Sequence, residues 1–216
     1  MPVSFPEARV AWMAGLLCLA LPAGAAAPRA VPREQASLPI DVSASSSSID
    51  SKSNRLSFDD VTLTQGSLSI RADRATADGT GLSFNDSRWE FTGAVRIRFT
   101  GGTLQSQVAT VRFAGNRLAR AQATGAPAEF EQQLEGVARP VRGHASTIDY
   151  DFIAQSVRLA GDAWLFDGRN EMSSPAIVYA VREQVMRNET GGGRVHITIR
   201  PEGTPEAPAP RPETRP

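Results

Sequence analysis

Between Leu38 and Arg200 the chain alternates apolar and polar residues almost without interruption. In "SLSIRADRATA" (67–77), Leu68, Ile70 and Ala72 fall on one face of an extended chain, with Arg74 next in the same phase. In "RVHITI" (194–199), Val195, Ile197 and Ile199 do the same, which turns His196 outward. A period of two is the mark of strands with one face in a core and the other in water. No stretch after the first 27 residues sustains a 3.6 period for more than about two turns. Glycine punctuates the strand ends. The pattern predicts an all-β protein of more than ten short strands.

The pattern also repeats. "RWEFTGAVRIRF" (88–99), "RAQATGAPAEFE" (120–131) and "SVRLAGDAWLFD" (156–167) each run from a strand-like lead through a small residue and glycine into alternating apolar positions. Their glycines, Gly93, Gly125 and Gly161, are 32 and 36 residues apart. "RLSFDDVTLTQG" (55–66) is a copy without the glycine. One layer of strands added per repeat predicts stacking, and stacked layers leave two open edges with unpaired backbone groups. The predicted edges are the strands at Leu38–Ala44 and Val195–Arg200; a partner strand could add to either.

The ends of the chain read differently. Arg9 precedes the apolar run "VAWMAGLLCLA" (10–20), and small residues surround Ala25–Ala27, so residues 1–27 read as a signal peptide for export. The run is shorter than the roughly 20 residues of a membrane span. Residues 28–37 read as a flexible arm and 201–216 as a disordered Pro-rich tail, because neither holds enough apolar bulk to offset its ordering entropy. The domain is therefore 38–200.

Composition removes several classes of chemistry. Lys+Arg and Asp+Glu are both 23, which gives no basic surface for nucleic acid. The one cysteine, Cys18, lies in the expected signal, leaving no thiol, disulfide or cysteine-based metal site in the mature chain. Neither His144 nor His196 has a second ligand at metal spacing. No G-x-S-x-G occurs, and "GTG" and "GGG" lack the strand–helix setting of a phosphate loop. Asp149 and Asp151 share one strand face, opposite Ile148, Tyr150 and Phe152, and read as a solvated face. The reading is a non-enzyme with no cofactor and no metal. Basic charge is carried almost wholly by arginine, for example Arg71, Arg96, Arg112 and Arg158; arginine can grip phosphate, but a solvated face accounts for these as well.

"LPIDVSASSSSIDSKSNRLSFDDVTLTQGSLSIRADRATA", "APAEFEQ", "VRGHASTIDYD", "VRLAGDAWLFDG" and "IVYAVREQVM" together resemble the LptA/OstA-like family of periplasmic lipopolysaccharide-transport proteins, over roughly 38–200. Two departures stand out: Asp59-Asp60 replaces the usual Thr-Gly-Asn, and a long middle unit covers about 78–122. The resemblance implies a stacked-strand β-jellyroll of two facing antiparallel sheets with open ends, holding acyl chains of lipopolysaccharide between them. It also implies a periplasmic bridge between inner and outer membranes, with LptC and the LptD N-terminal domain as partners and end-to-end self-association through edge strands. By family position, Ile40, Val42, Phe130, Tyr150 and Phe152 would line the apolar groove, Tyr150 with its hydroxyl towards water at the mouth. An LptC-like component of the same pathway and a closed β-repeat scaffold are the alternatives.

Overall fold

A computed structural model describes residues 38–50, 52–78, 83–189 and 194–199. The expected signal peptide (1–27), arm (28–37) and Pro-rich tail (201–216) lie outside the described residues. Twelve strands form one antiparallel sheet: β1 (Asp41–Ser43), β2 (Ser46–Asp50), β3 (Arg55–Gln65), β4 (Leu68–Asp78), β5 (Asp86–Phe99), β6 (Gly102–Ala114), β7 (Arg117–Gln132), β8 (Val141–Asp151), β9 (Ser156–Phe166), β10 (Glu171–Ala180), β11 (Val185–Asn188) and β12 (His196–Thr198). From β3 to β10 each strand pairs with the next in sequence, forming a meander. Among the described residues no helix is long and apolar enough to cross a membrane.

The strands number more than ten, as expected, but several are longer than the alternation suggests: β7 alone spans 16 residues. Sequence reading cuts such strands in two because their alternation breaks at the middle. In β3 the inward residues run Leu56, Phe58, then Val61, Leu63; in β4 they run Leu68, Ile70, Ala72, then Ala75, Ala77. The slip turns Arg74 outward, against the simple alternation, and it pairs with Asp59. β7, β8 and β10 slip likewise, between Ala123 and Ala128, Ala145 and Ile148, and Ser174 and Ile177. In β5 and β9 two left-handed residues make the break: Gly93 and Ala94 at φ 77° and 43°, Gly161 and Asp162 at φ 79° and 50°. A β-bulge of this kind bends its strand and re-aims the chain. The repeated glycines therefore mark the bends and not the strand ends. A Cβ at Gly93 would collide with the Asp73 side chain, so glycine is required there for space as well as for φ. In the glycine-free repeat Asp60 takes the left-handed position, at φ 49°.

The bends fold the sheet over itself. Trp89 and Phe99 are ten residues apart on β5, roughly 33 Å along a straight strand. Yet the Phe99 ring lies 5.2 Å from that of Tyr150, whose strand row continues through Ala121 and Val111 to Trp89. Two facing walls result. The front wall carries Phe58, Phe91 and Ile148; the back wall carries Leu63, Ile97 and Phe130. One continuous apolar core lies between them. The long middle unit becomes β5 and β6, an ordinary layer paired on both sides.

Both ends of the stack finish in divided strands. β1 pairs with Thr62–Thr64 and β2 with Arg55–Asp59 of β3, one on each side of its bend. At the far end β11 and β12 divide β10 in the same way. The expectation that Val195, Ile197 and Ile199 turn into the core is wrong. All three are exposed, Ile199 at 76%, at the short edge strand β12, although Ile197 is paired with the buried Met172.

Candidate functional site: the interior and its mouth

Opposite the bends, the turns of the two walls meet along a seam that we call the mouth. Three sets of contacts cross it. Gln65, at the end of β3 on the back wall, donates from Nε2 to the Asn116 carbonyl in a front-wall turn at 2.7 Å. Phe99, on the back wall, meets Tyr150 and Phe152 of the front wall edge to face at 5.2 and 5.1 Å. The Tyr150 hydroxyl donates to Oε1 of Gln132, on the back wall, at 3.1 Å.

Of the five residues expected to line a groove, three come together here. Phe130, Tyr150 and Phe152 form one cluster with Phe99: Tyr150 and Phe152 stack at 4.0 Å, and Phe130 approaches Tyr150 at 5.8 Å. Tyr150 is fully buried and its hydroxyl bonds to Gln132, so it does not stand at the water boundary; Phe152 is half-buried and takes that place. Ile40 and Val42 lie apart from the cluster, at the β1 end, partly buried against the same core. Val42 is opposite Leu63, in the strand row that leads through Ile70, Ile97 and Leu104 to Phe130. All five thus touch one interior, which in this closed form is filled by the protein's own side chains.

Of the larger aromatic group, sequence reasoning marks Phe58 and Phe91 as interior residues but leaves out Trp89, Phe84 and Phe113. Trp89 stacks on Phe84, Phe58 and Phe91 at 5.1, 5.7 and 6.1 Å, and Phe84 meets Phe113 at 5.0 Å. Alternation in "RWEF" already puts Trp89 and Phe91 on one face. Sequence reasoning also leaves out Tyr179, fully buried on β10. Burial, with the nearby Asp167 and Tyr150, pushes the Tyr179 phenol up to about 12; burial pushes Tyr150 up to about 12 as well, against the Gln132 hydrogen bond. Both therefore remain protonated donors at neutral pH.

The charged residues lie outside. Asp149 and Asp151 face outward beside Arg158 and Arg120, at 3.9 and 2.5 Å. Arg74 meets Asp59 at 2.9 Å, Arg112 meets Asp86 at 3.1 Å and Arg158 meets Glu189 at 2.6 Å. Exposed pairs of this kind contribute little stability, about 0–1 kcal/mol each. On the outer face of the back wall His144 stacks on Trp164 at 5.2 Å, and both border a depression of about 590 Å³ shared with His196. Sequence spacing could not bring His144 and His196 together; the pairing of β12 with β10 does. Among the described residues no group of three or more metal-ligating side chains gathers.

The chain is similar to several known proteins. The lipopolysaccharide export system protein LptA of Escherichia coli K12 is 26% identical over 162 residues, 74% of this chain and 70% of that protein. The protein of the same name from Shigella flexneri aligns equally well. The crystal structure of LptH, the LptA-homologous periplasmic component of the lipopolysaccharide transport device of Pseudomonas aeruginosa, aligns with a TM-score of 0.41 at 20% identity, over 77% of this chain and 99% of that one. Residues 41–185 match the family described as LptA/(LptD N-terminal domain) LPS transport protein. The chain belongs to that family of lipopolysaccharide-transport proteins.

Proposed function

We propose that this protein is a periplasmic lipopolysaccharide carrier that bridges the inner and outer membranes, with acyl chains held between its two walls. One observation carries the reading: an apolar interior runs unbroken through eight stacked strands, β3 to β10, and both ends of the stack finish in short divided edges. Each CH₂ moved from water into such an interior contributes about 0.8 kcal/mol, so hydrocarbon binds there without a polar code. The closed form is the unloaded one. Loading exchanges the contacts across the mouth, with Phe99, Phe152 and Gln65 moving aside, for contacts with acyl chains. Ile40, Val42, Phe130, Tyr150 and Phe152 line the path. The edges at β1/β2 and β11/β12 take LptC, the LptD N-terminal domain or a second copy of this chain by strand addition. The chain binds and passes on its cargo without transforming it.

A closed β-repeat scaffold is the competing reading, favoured by the filled interior and the contacts across the mouth. Photo-crosslinking separates the two. A photoreactive phenylalanine analogue at position 150 should form an adduct with lipopolysaccharide, and the same analogue at outward-facing position 149 should not. Equal labelling at both positions, or none at 150, would favour the scaffold.

A further inference from the structure

Two polar atoms stand out inside the apolar core. Trp89 and Tyr179 are each 1% exposed, and neither the indole Nε1 nor the phenol hydroxyl has a hydrogen-bond partner among the described residues. A buried donor without a partner forfeits its hydration and gains nothing in return, so a native fold keeps one where something else meets it. The two are not scattered. Trp89 is paired through Val111 and Ala121 to Tyr150, and Tyr150 through Val157 to Tyr179. All three polar-tipped aromatic side chains thus occupy one row across the front wall. Strands lie about 4.8 Å apart, which spaces Trp89 and Tyr150 by roughly 14 Å and Tyr150 and Tyr179 by roughly 10 Å along the stacking axis.

The row's position gives it a chemical meaning. The next row towards the bends runs through Ala75, Phe91, Ala109, Ala123, Ile148 and Leu159, with no polar side-chain atom. The donors therefore lie on the mouth side, and pure hydrocarbon surface lies behind them. An acyl lipid has the same polarity: its tails are apolar, and its carbonyl oxygens, at the ester and amide links, sit near the headgroup and accept hydrogen bonds without donating. Tyr179 and Tyr150 stay protonated at neutral pH, and indole is a donor only, so all three groups are of the type a carbonyl needs.

We propose that Trp89, Tyr150 and Tyr179 form a donor ladder that binds the acyl-linkage carbonyls of a lipid whose tails point towards the bends. This rests on the lipid-carrier reading and adds to it a selectivity for acyl over alkyl chains. Tyr150, held by Gln132 in the closed form, is the rung that changes partner when the walls part; among the described residues Trp89 and Tyr179 have no partner to give up.

The test uses a short-chain diacyl phosphocholine and its dialkyl ether counterpart of equal chain length, both as monomers, titrated calorimetrically into the purified protein. A carbonyl hydrogen bond in a dry site corresponds to about fivefold in affinity, so the diacyl lipid should bind at least about fivefold more tightly. Tyr179→Phe and Trp89→Phe should each shrink that ratio, weakening the diacyl lipid more than the ether lipid. Tyr179→Phe should also keep or raise the melting temperature, because the hydroxyl it removes bonds to nothing among the described residues. Equal affinity of the two lipids for the unmodified chain would overturn the ladder and leave the carrier reading standing. An undiminished ratio in both variants would overturn it too. Failure of both lipids to bind would remove the carrier reading and the ladder together.

Discussion

The interior holds two aromatic clusters, and they do opposite jobs. Phe58, Trp89, Phe91 and Phe113 all belong to the front wall, stacked along it with Phe84 from the adjoining loop. Phe99, Phe130, Tyr150 and Phe152 come from both walls and meet across the mouth. The first cluster can keep its contacts whatever the distance between the walls; the second loses contacts as soon as they part. Exposure divides within the clusters as well: Phe84 of the first is half-buried, and Phe130 and Tyr150 of the second are buried. Trp89, Phe91 and Phe113 are buried to 1% or less, whereas Phe99 and Phe152 are only half-buried. A protein that must admit hydrocarbon between two sheets needs one set of rings to hold a wall together and another that can yield.

The largest effect expected from this division is on stability. Phe91→Ala removes a fully buried ring from within a wall and should cost about 3–5 kcal/mol in urea denaturation. Phe99→Ala should cost less, about 1–2 kcal/mol, because its ring is only partly buried. It should also raise uptake of a monomeric fluorescent fatty acid, since it clears the mouth, whereas Phe91→Ala should not. Equal losses of stability from the two substitutions, with no gain in uptake, would break the contrast. A smaller effect should come from the polar tie beside the second cluster. Gln65 is 3% exposed and donates to the Leu38 and Asn116 carbonyls. Gln65→Leu leaves a carbonyl on each side of the seam short of a donor and should cost about 1–3 kcal/mol. Hydrogen exchange should then quicken at the β6–β7 turn and stay unchanged at Phe91; protection lost equally at both would mean that the seam does not open independently of the wall.

How legible this was in the sequence depends on the scale of the pattern. Period-two alternation revealed strands, and the repeat revealed stacking, because burial on one face and addition of like layers both leave a mark in residue order. The mid-strand slip did not register, since one extra residue looks the same as a strand end. Simple alternation therefore puts Arg74 in the core phase and makes boundaries of the turn-like glycines at 93 and 161, which are bends. β12 failed for a different reason. Val195, Ile197 and Ile199 alternate as well as any core strand, but alternation reports what a strand could bury and not what it does bury. Of the expected lining residues, Phe130, Tyr150 and Phe152 fell in one cluster because each sits near a strand end on the mouth side. Trp89 and Tyr179 were missed because only cross-strand register aligns them with Tyr150, and register over non-adjacent strands leaves no local mark.

A third ring pair sharpens the comparison because it belongs to neither cluster. His144 and Trp164 stack at 5.2 Å on the outer face of the back wall, away from the seam. Burial holds the His144 imidazole below its ordinary 6.5, and the Glu129 carboxylate on the neighbouring strand only partly offsets this. The folded state therefore takes up the His144 proton less readily than the unfolded chain. Stability should be full above about pH 6.5 and should fall as pH drops through the window beneath it, where the unfolded chain binds the extra proton. Melting temperature should decline modestly as pH drops from about 6.5 to about 5, and His144→Gln should flatten that decline. Glu129→Gln should steepen it by removing the offsetting charge. Fatty-acid uptake should stay constant over the same range, because no group at the mouth titrates there: Tyr150 and Tyr179 are pushed upward, and Phe99, Phe152 and Gln65 carry no proton to lose. A change in uptake that tracked His144 would mean that the outer face of the back wall is coupled to the mouth, and the independence of wall and seam would have to be abandoned.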